Sequence, residues 1–152
     1  MKNYQKIVEN LGSYNFPAGL LGFEKVHQYD INPLECKPYL MLANYDIQLG
    51  FICTDPTIIT PNYEVQITEQ EKTLLNTINI EDIAVLAIVR VMLRGHYQIN
   101  LLGPILLNVK SKTAFQKAVI GQKSNVRFNK LKIGNIDSFV RENKKLEPKK
   151  KV

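Results

Sequence analysis

The sequence predicts a mainly β, single-domain protein of short antiparallel strands, with one clear α-helix at about 69–78 and a basic C-terminal tail. Three observations carry that expectation. Short apolar runs recur along the chain, separated by Pro, Gly, Asn and Asp, which is the pattern of strands and turns. One capping signature opens one stretch with helical spacing. Charge is split along the chain. Residues 1–109 carry seven Lys/Arg against eleven Asp/Glu, a balance of −4, whereas residues 110–152 carry thirteen against three, a balance of +10. A chain of 152 residues is long enough to bury a core without disulfide or metal staples, so one domain over 1–140 and a solvated, disordered tail over 141–152 are expected.

The elements follow in order. Strands are expected at 5–10, 25–31, 39–43, 48–53, 83–92, 97–102, 105–109, 114–120 and 126–132, each an apolar run bounded by turn residues. Asn44-Tyr45-Asp46 reads as the connection of a hairpin between two of them. Thr68-Glu69-Gln70-Glu71 is a capping box, with Thr68 as N-cap and Glu71 reaching back to its N–H. Leu74, Leu75 and Ile78 then supply one apolar stripe for docking on the sheet. A short second helix is expected at 136–143. Many strands with one helix argue for a compact antiparallel barrel or sandwich, because helical patterns do not alternate with strands as a parallel βαβ sheet requires.

Several classes of function are disfavoured. His27 and His96 have no Cys or carboxylate at ligand spacing, so no metal is expected and each reads as a satisfied or solvated histidine. Glu81-Asp82 fall between a helix and a strand and read as loop charges or caps, not as an acid/base pair. Nucleophile elbow, phosphate loop and dinucleotide fingerprint are all missing, so neither a catalytic residue nor a cofactor is expected. The longest apolar run, 83–89, stops at Arg90 and is too short to span a bilayer, and MKNYQKIVEN has no apolar segment of a signal peptide. Cys36 and Cys53 form no disulfide framework and read as reduced thiols in a cytosolic protein, with Cys53 buried in a strand.

The stretch NLLGPILLN, 100–108, invites a closer look. Pro104 has no N–H for a central ladder and suits an edge strand or a bulge. In a continuous strand one face carries Leu101, Gly103, Ile105, Leu107 and Val109, all apolar or small. The other carries Asn100, Leu102, Pro104, Leu106 and Asn108, apolar in the middle and polar at both ends, like a small docking patch with a hydrated rim. Two readings stand: an available edge, or a face covered by the 69–78 helix with Leu102 and Leu106 in the core. A bulge at Gly103-Pro104 would reverse the faces beyond it.

Taken with that stretch, other motifs in the same order resemble the flagellar assembly factor FliW family. FPAGLLGFE at 16–24 is similar to the family's opening Phe-Pro-x-Gly-Leu-x-Gly-Phe-Glu; TDP at 54–56 precedes PNYE at 61–64, the capped helix and VLAIVRV at 85–91. NLLGPILLN resembles Asn-Leu-x-Ala-Pro-Ile-x-x-Asn, and VRF at 126–128 resembles Val-Arg-His. The likeness covers about residues 7–130. The chain departs from the pattern at Leu21, where Pro is usual, at Arg90 (small polar), Gly103 (Ala), Gln122-Lys123 (acidic) and Phe128 (His).

The resemblance implies a β-barrel-like fold, a cytoplasmic protein and no enzymatic activity. It implies two partners, flagellin and the carbon storage regulator CsrA, an RNA-binding translational repressor that the factor holds off flagellin mRNA, by an allosteric route, until flagellin captures the factor. Asn100, Leu102, Pro104, Leu106 and Asn108 are the expected partner-binding residues. Phe16, Pro17, Gly19, Gly22, Phe23, Asp55 and Pro56 are expected to shape loops. The alternative reading is a nucleic-acid-binding β-barrel acting through its basic C-terminal third; under the leading reading no direct nucleic-acid contact and no membrane contact are expected.

Overall fold

The computed structural model describes residues 2–77, 79–91, 97–119 and 126–128. The strands in chain order are β1 (Gly12–Asn15), β2 (Gln28–Pro33), β3 (Tyr39–Asn44), β4 (Leu49–Thr54), β5 (Ile83–Val91), β6 (Tyr97–Ile99), β7 (Ile105–Asn108), β8 (Thr113–Gln116) and β9 (Val126–Phe128). They hydrogen-bond in the order β4-β3-β2-β1-β8-β7-β5-β6-β9, and a further pairing of β4 with β5 closes seven of them into a barrel. Neighbours are antiparallel except at β1–β8, where Asn15 pairs with Thr113 in parallel. The mainly β, barrel-like expectation holds. The second helix expected at 136–143 and the tail at 141–152 lie outside the described residues.

β3 shows how the core is layered. YLMLA is buried on both faces, as its unbroken apolar run requires. Leu40 and Leu42 point into the barrel with Tyr14, Phe16, Tyr29, Ile31, Leu86, Ile105 and Leu107. Tyr39, Met41 and Ala43 point outward, against Ala87, Val89, Tyr97 and Ile99. β5 makes this second layer possible. Its first half pairs with β7 and its last three residues with β6, so one long strand leaves the barrel wall and carries β6 over the outside. Cys53 of β4 is fully buried in the interior cluster, as expected.

Residues 5–10, expected as a strand, belong instead to helix α1 (Lys2–Val8) and the turn after it. Tyr4, Ile7, Val8 and Leu11 recur at helical spacing and all pack on the barrel interior. Asn3 ties α1 to β5 as a strand residue would: its Nδ2 donates to the Val85 carbonyl at 2.7 Å and its Oδ1 accepts from the Val85 N–H at 2.8 Å. Lys6 Nζ donates to the Ile83 carbonyl at 3.0 Å. The expected hairpin joins β3 to β4, with Asn44 Oδ1 accepting from the N–H of Asp46 and Ile47.

The short helix α2 (Pro56–Ile59) is capped by Asp55, whose Oδ1 accepts from the Thr57 N–H at 2.9 Å, with Pro56 in the first turn where its missing N–H costs nothing. Asp55 and Pro56 thus start this short helix. Helix α3 (Glu69–Leu74) carries the expected capping box on Thr68 and Glu71. It ends sooner than the sequence suggests, with Leu75 as C-cap. Only Leu75 then turns inward, fully buried, while Leu74 is 55% exposed; Ile78, the third residue of the expected stripe, lies outside the described residues. Glu81 and Asp82 sit in a single 3-10 turn, Ile80–Asp82, capped by the Asn79 side chain.

Candidate functional site

NLLGPILLN is not an edge. Ile105–Asn108 pair with β5 on one side and β8 on the other, and all four residues are buried. Leu106 is fully buried with Leu75, the C-cap of α3, and Ile83, and Val65 and Ile67 pack against them, so the chain flanking α3 covers the face that had a chance of meeting a partner. Pro104 is buried too, and Asn108 is only 2% exposed. Asn108 has a structural task. Its Nδ2 donates to the carbonyls of Leu75 and Asn76 at 2.7 and 3.2 Å, and its Oδ1 accepts from the N–H of Lys110 and Ser111 at 2.9 and 3.2 Å. One amide therefore satisfies the C-terminal end of α3 and the turn into β8 at once.

Pro104 marks a bulge. The β5–β6 ladder ends with Val89 opposite Ile99, and the β5–β7 ladder begins with Leu86 opposite Ile105. The second strand spends three more residues than β5 between those pairs, and an odd excess exchanges the faces. Leu101 accordingly joins the outer cluster while Ile105 and Leu107 enter the barrel. The extruded backbone is held at every turn. Asn100 N–H donates to the Ile88 carbonyl, Tyr63 OH to the Leu101 carbonyl, Val119 N–H to the Leu102 carbonyl and Lys117 N–H to the Pro104 carbonyl. Asn100 and Leu102 remain half-buried there, the only two of the five expected contact residues with access to solvent.

The loop 16–24 lies across from this bulge. Phe16 anchors it in the barrel, fully buried with its ring edge-on to Tyr29 at 5.0 Å. Gly19, at φ +68°, allows the reversal; a Cβ there would stand 2.6 Å from the Phe23 carbonyl oxygen and 2.7 Å from Glu24 backbone atoms. Leu20 turns inward at 2% exposure and pairs with Phe23 across the reversal. Gly22, at φ +87°, completes it, and its N–H donates to Glu24 Oε2 at 2.8 Å, holding that carboxyl below its ordinary range. Pro17 is exposed at the entry. The outcome is a rigid turn that holds Leu21 59% exposed and Phe23 40% exposed, with the Phe23 ring resting 5.3 Å from Phe51. The sequence expected Phe23 to shape the loop; the structure also places it at the surface. From the sequence Leu21 stands out only as a departure from the family pattern, and Gln116 not at all.

Gln116 joins the two segments. Its Oε1 accepts from the Leu21 N–H at 2.7 Å, and its Nε2 donates to the Gly103 carbonyl at 3.0 Å. Among the described residues no three His, Cys, Asp or Glu side chains gather as a metal site would, and no helix is long and apolar enough to cross a membrane. The His27 ring is bonded to the Glu24 carbonyl at 2.9 Å; His96 lies outside the described residues. The arrangement offers an apolar surface and no grouping of reactive side chains.

The sequence model of the FliW protein family matches residues 4–130. The chain belongs to the FliW family. Curated FliW relatives carry the name flagellar assembly factor. The chain is similar to that of Treponema denticola, 32% identical over 111 residues covering 72% of this chain and 76% of the relative. It is similar also to those of Clostridium botulinum (31% over 122 residues, 77% and 84%) and Borrelia turicatae (27% over 121 residues, 78% and 93%). A crystal structure of the flagellar assembly factor FliW shares the fold at a TM-score of 0.69 and 23% identity, covering 79% of this chain and 84% of that one. FliW is a family of assembly factors and not an enzyme family.

Proposed function

We propose that this FliW-family protein binds flagellin in the cytoplasm and antagonises the translational repressor CsrA, coupling flagellin synthesis to filament assembly. Family membership supports the general role. The single observation that carries a contact surface is the 16–24 turn, which holds Leu21 and Phe23 in water on a backbone that is fixed from below. Large apolar side chains presented on a rigid frame lose little entropy on docking and act as anchors in protein interfaces. Asn100 and Leu102, on the neighbouring bulge, are the remaining members of the proposed contact set; Pro104, Leu106 and Asn108 serve the fold.

The experiment is co-purification of tagged protein with flagellin, comparing wild type with Leu21→Asp and Phe23→Asp. Both variants are expected to retain the circular dichroism spectrum and to lose flagellin at least tenfold. Full retention of flagellin by both would remove the turn from the interface. Displacement of a labelled leader RNA from CsrA by the purified protein tests the second partner. The charge split along the chain favours one other reading, direct RNA binding through the basic C-terminal third. Salt-sensitive retention of RNA on a filter by this protein alone, lost on removing 141–152, would favour that reading over CsrA antagonism.

A further inference from the structure

We infer that Gln116 is a positioning residue that makes the 16–24 turn and the 100–104 bulge one mechanical unit, so that an occupant of either segment is felt by the other. Gln116 comes from β8, where alternation with Ala114 points it at the core, and it is only 8% exposed. A polar side chain there must satisfy its amide locally. It does so by spanning two segments distant in sequence: the Leu21 N–H on one side and the Gly103 carbonyl on the other. These are direct bonds from a single planar group. A displacement of one partner reorients the amide against the other.

Gly103 leaves the space that the amide occupies. A Cβ at this position would lie 2.9 Å from Gln116 Nε2 and 2.9 Å from Asn100 Nδ2, closer than non-bonded atoms settle. The residues at 21 and 103 both suit this amide. A proline at 21 would have no N–H to offer, and an alanine at 103 would crowd Nε2. The consequence for binding rests on the proposal that Leu21 and Phe23 contact a partner: docking there also fixes Leu102, and both segments act as one surface. The coupling itself is a property of the free protein.

The test is amide hydrogen exchange on the full chain, read at Leu21 and compared between two backgrounds. Gly103→Ala in the wild-type background is expected to speed exchange at Leu21, on the other side of the Gln116 amide, at least fivefold. In Gln116→Met, which keeps the side-chain length and removes both bonds, Leu21 exchanges at least tenfold faster and Gly103→Ala changes it no further. Gln116→Leu provides a second background should the first fail to fold. It also removes both bonds, so Leu21 is expected to exchange faster there and Gly103→Ala to change it no further. A merely structural glutamine would instead alter exchange throughout the barrel by one common factor. Equal responses at Leu21 with and without Gln116, or none in the wild-type background, would overturn the inference. Retention of flagellin by Leu21→Asp and Phe23→Asp with the coupling intact would count against the contact surface alone.

Discussion

Replacing Asn108 with Ala separates a fold-supporting role from the contact role suggested by its sequence context. The substitution removes four hydrogen bonds: two donated to the Leu75 and Asn76 carbonyls and two accepted from the Lys110 and Ser111 N–H groups. A typical bond contributes about 1 kcal/mol net, and a buried group left without a partner costs roughly 1–3 kcal/mol. Water reaches the Lys110 and Ser111 end, and Ser111 Oγ still approaches the Leu75 carbonyl at 3.5 Å, so the full sum is not reached. A loss of about 3 kcal/mol follows, or about 6–12 °C in the thermal midpoint of a domain this size. Asn108→Asp refines the test. Its carboxylate keeps the two accepted bonds but faces two carbonyls without a proton to give, so it is as unstable as Ala at neutral pH. As pH falls and the acid protonates, it donates again and its gap to wild type narrows. Urea melts of the three proteins from pH 7 to pH 4 supply the assay. A cost below about 1 kcal/mol for Asn108→Ala would refute the clamp.

Three further outcomes are expected. Gly19→Ala, at a positive φ and with backbone atoms 2.6–2.7 Å from the new Cβ, should cost about 3 kcal/mol or more in urea melts, whereas Gly22→Ala, strained only by its φ, should cost about 1–2 kcal/mol. Leu106→Asp should abolish cooperative unfolding by burying a charge beside Leu75 and Ile83, while Leu102→Asp, half-buried on the bulge, should leave a folded protein by circular dichroism. Glu71 and Lys117 form a partly buried ion pair at 2.9 Å. Desolvation pushes the Glu71 carboxyl up, but the Thr68 N–H together with the hydrogen bond and charge of Lys117 hold it below its ordinary range. A depressed folded value stabilises above the unfolded one and is lost as pH falls through it, so the deficit of Glu71→Gln seen at pH 7 should begin to shrink near the ordinary glutamate value, about 4.3, and close as pH falls through the lowered folded value.

The fold was legible where local chemistry decides. Thr68 and Glu71 announce a helix start from four residues, and the unbroken run at β3 announces burial on both faces. It was misread where the same residues admit two periods. Over 5–10 the β-branched pair Ile7-Val8, followed by Asn10 and Gly12, imitates a short strand and its turn, and only inclusion of Tyr4 and Leu11 exposes the helical spacing that the barrel interior selects. β1 was invisible because GSYN offers a single apolar side chain, Tyr14, and its pairing with β2 supplies the rest.

The candidate site was legible to a smaller degree, for a physical reason. Proline at 104 correctly signals a break in the ladder, but edge and bulge both satisfy a missing N–H, and the choice depends on whether β8 arrives on the far side. Nothing between 100 and 108 contains that information. The faces of the stretch were likewise undecidable, because an odd excess of residues against β5 inverts them and the count is fixed by pairing partners many residues away. One signal was present and went unused. In TAFQ at 113–116, alternation from Ala114 directs Gln116 inward, and a polar amide on a core-facing position demands partners. Its partners, Leu21 and Gly103, lie in the two motifs that stand out most in the sequence. A polar residue at a core position thus points to where separate motifs are joined, even when it cannot name them.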